Sequence, residues 1–137
     1  MPESLAALEI QREQLYQQLS RLGDFRPGTI SANYRRCGKA NCACAQPEHR
    51  GHGPQYLWTT TQKGKSRAQH LRLGPELEKA EQELENYHQF LRLCDELVVV
   101  NEQLCRLRPP KTVADESELA SLKKRLQQKY SKKLKRR

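Results

Sequence analysis

Leu5, Leu8, Leu15, Leu19 and Leu22 recur at three- and four-residue steps, and Arg12 stands where the stripe lacks a leucine. This is the period of one side of an α-helix, so a helix is predicted over 3–22, with Gly23 as its stop. A stripe this narrow needs a second helix to cover it. Residues 25–28 (Phe-Arg-Pro-Gly) read as a turn, and 29–35 as a short strand. Strong β propensity returns over 55–61, with Tyr56, Trp58 and Thr60 on one face and Leu57, Thr59 and Thr61 on the other. The run 62–65 (Gln-Lys-Gly-Lys) predicts a hairpin turn into a returning strand over 66–73.

Gly74-Pro75 opens the main helix, with Glu76 and Glu78 suited to its first turn. One apolar stripe runs through Leu77, Ala80, Leu84, Tyr87, Leu91, Cys94, Val98, Asn101 and Cys105. A second runs through Phe90, Leu93, Leu97, Val100, Leu104 and Leu107. Asn101 is a polar residue of the kind that fixes register between paired helices. Leu8, Leu15, Leu19 and Leu22 are expected to pack antiparallel on Leu84, Leu91 and Val98, with Cys94 and Cys105 as packing residues. Pro109-Pro110 ends this helix; 115–118 starts another, whose thin apolar face is Leu119, Leu122, Leu126 and Tyr130.

The fold class is therefore α+β: a long helical hairpin or coiled coil, a small antiparallel β-hairpin carrying a zinc-knuckle-like Cys/His loop, and a basic C-terminal helix. The expected segments are an N-terminal amphipathic helix (1–24), the β-hairpin with its knuckle (25–74), the long helix (75–108) and a basic helix or tail (109–137). A sheet this small does not stand alone. With 36% hydrophobic and 30% charged residues, a large core is excluded, and a metal would supply the missing cross-link.

The chemistry is concentrated between residues 37 and 52. Cys37, Cys42, Cys44 and His52 give the pattern C-x4-C-x-C-x7-H, and His49 is an alternative nitrogen. Three thiolates and an imidazole complete a tetrahedral shell, so a structural Zn2+ is the expected cofactor. The ligand atoms should then converge within about 4 Å, and sulfurs more than about 7 Å apart would exclude a shared ion. Two other readings stand beside this one. The thiols could be plain packing residues, although apolar side chains larger than alanine are nearly absent around them. A disulfide would leave one of the three unpaired.

Tyr34, Cys37-Gly38-Lys39, Asn41-Cys42, Cys44-Ala45, His52-Gly53-Pro54 and Gly64-Lys65 resemble an uncharacterised family of small prokaryotic proteins with a CGKxNCxC…HGP core. The resemblance covers roughly residues 28 to 100 and implies an accessory or transposon-associated role, with no assigned activity. That family usually places an aromatic directly after HGP; here Gln55 intervenes and Tyr56 follows.

The net charge of +9 is uneven. Residues 123–137 hold nine basic residues and no acid, and 26–73 hold nine against Glu48 alone. Two basic regions point to an anionic partner: nucleic acid, with DNA placed ahead of RNA. The candidate contacts are Arg35, Arg36, Lys39, Arg50, Lys63, Lys65 and Arg67 near the knuckle, then Lys123, Lys124, Arg125, Lys129, Lys132 and Lys133. Tyr34, Tyr56 and Trp58 are candidates for stacking on bases. The helices offer a route to a homodimer or a larger protein partner. No carboxylate pair, phosphate-binding glycine loop or Ser/His/Asp set is evident, so no enzymatic role is expected, with Cys42 and His52 the residual thiol-nucleophile pair. No apolar run is long enough for a membrane span, and the start lacks a signal-peptide pattern. A cytoplasmic protein with reduced thiols is expected.

Overall fold

The computed structural model describes residues 4–135. Glu3 of the predicted first helix and Arg136 and Arg137 of the basic run lie outside the described residues, as do the side chains of 133–135, including the candidate Lys133. The described residues form three α-helices and a three-stranded antiparallel sheet. In chain order these are α1 (Leu5–Ser20), β1 (Thr29–Arg35), a 3-10 turn (Ala43–Ala45), β2 (His52–Gln62), β3 (Lys65–Leu71), α2 (Pro75–Leu107) and α3 (Glu116–Lys135). They fall into two compact units, Met1–Leu104 and Cys105–Arg137. No described helix is long and apolar enough to cross a membrane.

In the first unit, Ser4 caps α1 by accepting the Ala7 amide on its hydroxyl. Leu8 and Leu15 are buried against Leu93, Leu97, Val100 and Leu104 of α2, with Leu5, Leu19 and Leu22 packed around them. The two helices run antiparallel. Arg12 hydrogen-bonds Asn101, and further along the chain Asn86 donates to the Asp24 carbonyl. This corrects one expectation. The partner of α1 is the second stripe of α2, because Leu91 and Val98 lie on another side of the helix and are 42% and 57% exposed. Leu84 is buried but stands apart from this cluster. Cys105, expected to pack, is exposed, and Cys94 is half-buried.

The strand order is β1-β2-β3. Ile30 faces Trp58, Ala32 faces Tyr56, and Tyr56 faces Leu71 across the two ladders. Those residues share a face with Thr60, and Thr60 and Leu71 are buried there. The opposite face leaves Thr29, Ser31, Asn33, Thr61, Ser66, Ala68 and His70 exposed. Lys63 and Gly64, with φ of 52° and 77°, form the two-residue connection between β2 and β3, the backbone that a primed hairpin turn requires.

A charged tie joins the turn before β1 to the sheet and α2. Arg26 lies over the Trp58 ring at 4.5 Å and donates to Glu83 Oε1 at 2.7 Å. Lys79 Nζ reaches Glu83 Oε2, also at 2.7 Å. Trp58 donates its ring N–H to the Pro27 carbonyl at 2.7 Å. Burying a carboxylate is tolerated when it is paired and hydrogen-bonded in this way.

In the second unit, Asp115 Oδ1 accepts the Ser117 amide and hydroxyl at 2.8 and 2.9 Å. These bonds cap α3, and Ser117, through its side chain first, holds the Asp115 carboxyl below its usual range. Along α3, Leu119 and Leu122 are half-buried, whereas Leu126 and Tyr130 are exposed.

Candidate metal centre

Each ligand is placed by a different local device. β1 ends at Arg35, two residues before Cys37. Gly38, at φ 83°, starts the turn back, and the Cys42 amide closes it on the Lys39 carbonyl at 3.2 Å. The 3-10 turn then carries Cys44, which is 1% exposed and the buried floor of the site. His52 was expected in a loop; it is instead the first residue of β2, paired with Arg35. That pairing delivers its ring to the cysteines.

The approach requires glycine on both sides of His52. A Cβ on Gly51 would stand 3.1 Å from Arg35 backbone atoms, and one on Gly53 2.8 Å from the Asn33 carbonyl oxygen. Both also have positive φ, 100° and 133°, which side-chain-bearing residues rarely adopt. The pairing register shifts between Asn33 and Arg35, where β2 carries the additional residue. After this bulge Tyr56 settles opposite Ala32, so Gln55 displaces no later pair.

Cys37, Cys42, Cys44 and His52 each offer a ligand atom, and these atoms lie within 4.8 Å of one another. The Cys37 and Cys44 sulfurs are 3.4 Å apart, and Cys42 Sγ is 3.2 Å from His52 Nε2. The group is positioned to hold a metal ion. Its widest separation exceeds the expected 4 Å but stays well short of the 7 Å limit. An ion about 2.3 Å from each sulfur spaces tetrahedral sulfur ligands roughly 3.8 Å apart, so the widest pair must close by about 1 Å and the Cys37–Cys44 pair must open slightly. His49 is not in the group. Its Nδ1 accepts the Gly51 amide at 2.9 Å, which fixes the loop that presents His52.

Electrostatics within the cluster are graded. The Lys39 backbone amide is the main influence lowering the Cys37 thiol to about 6; His52, Cys44 and Cys42 add to it. Cys44 accepts the Cys37 amide at 3.4 Å, which favours its thiolate, but burial and the Cys37 and Cys42 sulfurs outweigh this and push it up. Of these two, the exposed Cys37 sulfur therefore ionises before the buried Cys44 sulfur.

Arg36 has a role that its sequence position did not reveal. Its guanidinium donates to the carbonyls of Cys44, Gln46 and His49, the latter two at 2.9 and 2.8 Å, and reaches Pro47 at 3.4 Å. It therefore ties the loop shut and its donors are spent inward. Arg50 donates to the Tyr34 hydroxyl at 3.4 Å and lies over its ring at 5.4 Å. Arg35, Lys39, Lys63, Lys65 and Arg67 are exposed. In the second unit Lys123, Lys124, Arg125, Lys129 and Lys132 are exposed along α3. Trp58 is half-buried beneath Arg26 and Tyr56 is half-buried in the sheet.

A family model described as a domain of unknown function, DUF6788, matches residues 5–83. The chain belongs to this family, whose matched span covers α1, the sheet, the Cys/His loop and the start of α2. No curated protein matches the chain, and no solved structure does.

Proposed function

We propose that this is a small zinc-stabilised nucleic-acid-binding accessory protein, cytoplasmic and linked to a mobile element. One coincidence carries the reading: a Cys3His group converges within 4.8 Å inside a segment, 26–73, that holds nine Lys/Arg and only Glu48 as an acid. Thiolate and imidazole donors in tetrahedral number suit zinc better than the harder divalent ions. When bound, zinc would cross-link the end of β1, the 3-10 turn and the start of β2. Four protein ligands close the coordination shell, which supports a structural role over a catalytic one. Cys42 and His52 would both be engaged by the ion and so withdrawn from nucleophilic chemistry.

Arg35, Lys39, Arg50, Lys63, Lys65 and Arg67 then stand on a braced scaffold where they can meet phosphates. Lys123, Lys124, Arg125, Lys129, Lys132 and Lys133 add affinity without sequence preference. Arg36 serves as a brace for the loop. DNA is placed ahead of RNA on the resemblance to transposon-associated proteins. The test is binding of full-length protein to labelled DNA at low salt, where electrostatic attraction is strongest. Measurable, salt-sensitive binding supports the reading, and no binding to any nucleic acid removes it.

A second reading has its own support. Leu91 and Val98, seven residues apart and so on one side of α2, are exposed, as are Val99 on α2 and Ile10 and Tyr16 on α1, and such residues suit a coiled-coil homodimer or a larger protein partner. In that case the knuckle only braces the fold. Concentration-dependent self-association without nucleic-acid binding distinguishes it.

A further inference from the structure

We propose that Tyr34 is a stacking site for an unpaired base, so that the preferred ligand is single-stranded nucleic acid; this rests on the nucleic-acid reading above. Tyr34 lies near the end of the edge strand β1, one residue before Arg35 and three before Cys37. It is 42% exposed. Two other aromatic rings of this unit, those of Trp58 and Phe25, have partners within it. Trp58 is held between Arg26 and the Pro27 carbonyl, and Phe25 stacks on Phe90 at 4.8 Å. Tyr34 instead meets Arg50, which lies over the ring and donates to its hydroxyl. The phenol is thereby oriented and paired with a cation, a combination that suits a base and its phosphate together.

The class of ligand follows from which part of a base is available. Within a duplex the base faces are covered by their neighbours, leaving edges in the grooves. A ring can stack on a base only if that base is already unpaired or is extruded at a cost. The surroundings fit a strand with its bases turned toward protein. Arg35, next to Tyr34 in the chain, and Lys39 are exposed, and β1, β2 and β3 contain no carboxylate. These cations can follow the backbone of a strand whose base stacks on the ring.

The experiment uses full-length protein and a labelled single strand of about 16 nucleotides, compared with the duplex made from it and its complement, at about 50 mM salt. The wild type is expected to bind the strand more tightly than the duplex. Tyr34→Ala should weaken strand binding by about tenfold and leave duplex binding unchanged. Tyr34→Phe should keep most of the affinity, and Tyr34→Leu, apolar but without a ring, should behave like alanine. Circular dichroism and metal content unchanged from wild type show that the variants fold. Equal loss on strand and duplex, or strand binding indifferent to Tyr34→Ala and Tyr34→Leu, overturns the stacking assignment while leaving nucleic-acid binding in place. A wild type that binds neither ligand overturns both.

Discussion

Arg12 Nη1 donates to Asn101 Oδ1 at 3.2 Å, so the charged residue in the leucine stripe of α1 meets a polar residue of α2. Asn101 in turn donates to the Leu97 carbonyl at 2.8 Å, which leaves its oxygen directed at the arginine. Polar pairs of this kind fix which residues lie opposite each other, at a cost in stability. Arg12→Ala should lower the stability of the folded chain by about 1 kcal/mol, read as a reduced Tm by circular dichroism. Replacing both residues by leucine closes the stripe and should leave Tm unchanged or higher. A double variant less stable than Arg12→Ala would contradict the role assigned to the pair.

Glu83 is expected to contribute to the acid sensitivity of the first unit. Its carboxyl lies below its ordinary range, chiefly through the hydrogen bond from Lys79, with Arg26 adding to it. The folded state therefore favours the ionised form. The stabilisation is fully present above the usual carboxylate range and is lost as the pH falls through the lowered folded value. Glu83→Gln should cost about 1–2 kcal/mol at neutral pH and flatten the decline of Tm on acidification. Parallel Tm-against-pH curves for the two proteins would show that Glu83 has no part in it.

The thiols should differ in reactivity once metal is removed with a chelator. Cys37 is exposed and its thiol is lowered to about 6, whereas Cys44 is buried and pushed up. Alkylation followed by peptide mass spectrometry should find Cys37 modified first and Cys44 last. Added zinc should protect both. Uniform labelling of all three cysteines with or without zinc would argue against a shared ion.

Much of the architecture was legible because its signals are local. The leucine steps of 5–22, the β-rich run at 55–61 and the Pro75 start each identify an element by period or propensity alone. The packing of α1 was less legible, since α2 carries two apolar stripes and the sequence does not say which one a partner takes. The stripe of Leu93, Leu97, Val100 and Leu104 meets α1; Leu91 and Val98 do not. At the site, cysteine and histidine spacing named the group of four. It left His49 and His52 as rivals, which the Arg35–His52 pairing distinguishes. The inward turn of Arg36 has no sequence signature, because an arginine beside a cysteine reads equally well as a phosphate ligand.

Deletion of residues 123–137 tests the basic run. It removes nine positive charges and should weaken binding to any nucleic acid to a similar degree. On duplex DNA the slope of log affinity against log salt should become shallower by about 0.9 for each phosphate that is no longer neutralised. Charge reversal at Arg35 and Lys39, on the braced scaffold, should instead alter whatever preference the protein shows between ligands. A deletion that leaves both affinity and salt slope unchanged would remove the C-terminal run from the binding surface.

The rest of the molecule's proposed chemistry depends on Cys37, Cys42, Cys44 and His52 sharing one structural zinc ion. Elemental analysis by mass spectrometry, on full-length protein purified without added metal, is the decisive check. One zinc per chain is predicted, falling to near zero in Cys44→Ser and in His52→Ala and unchanged in His49→Ala. Protein that carries no zinc and stays folded, or zinc content indifferent to Cys44→Ser, would refute the shared site.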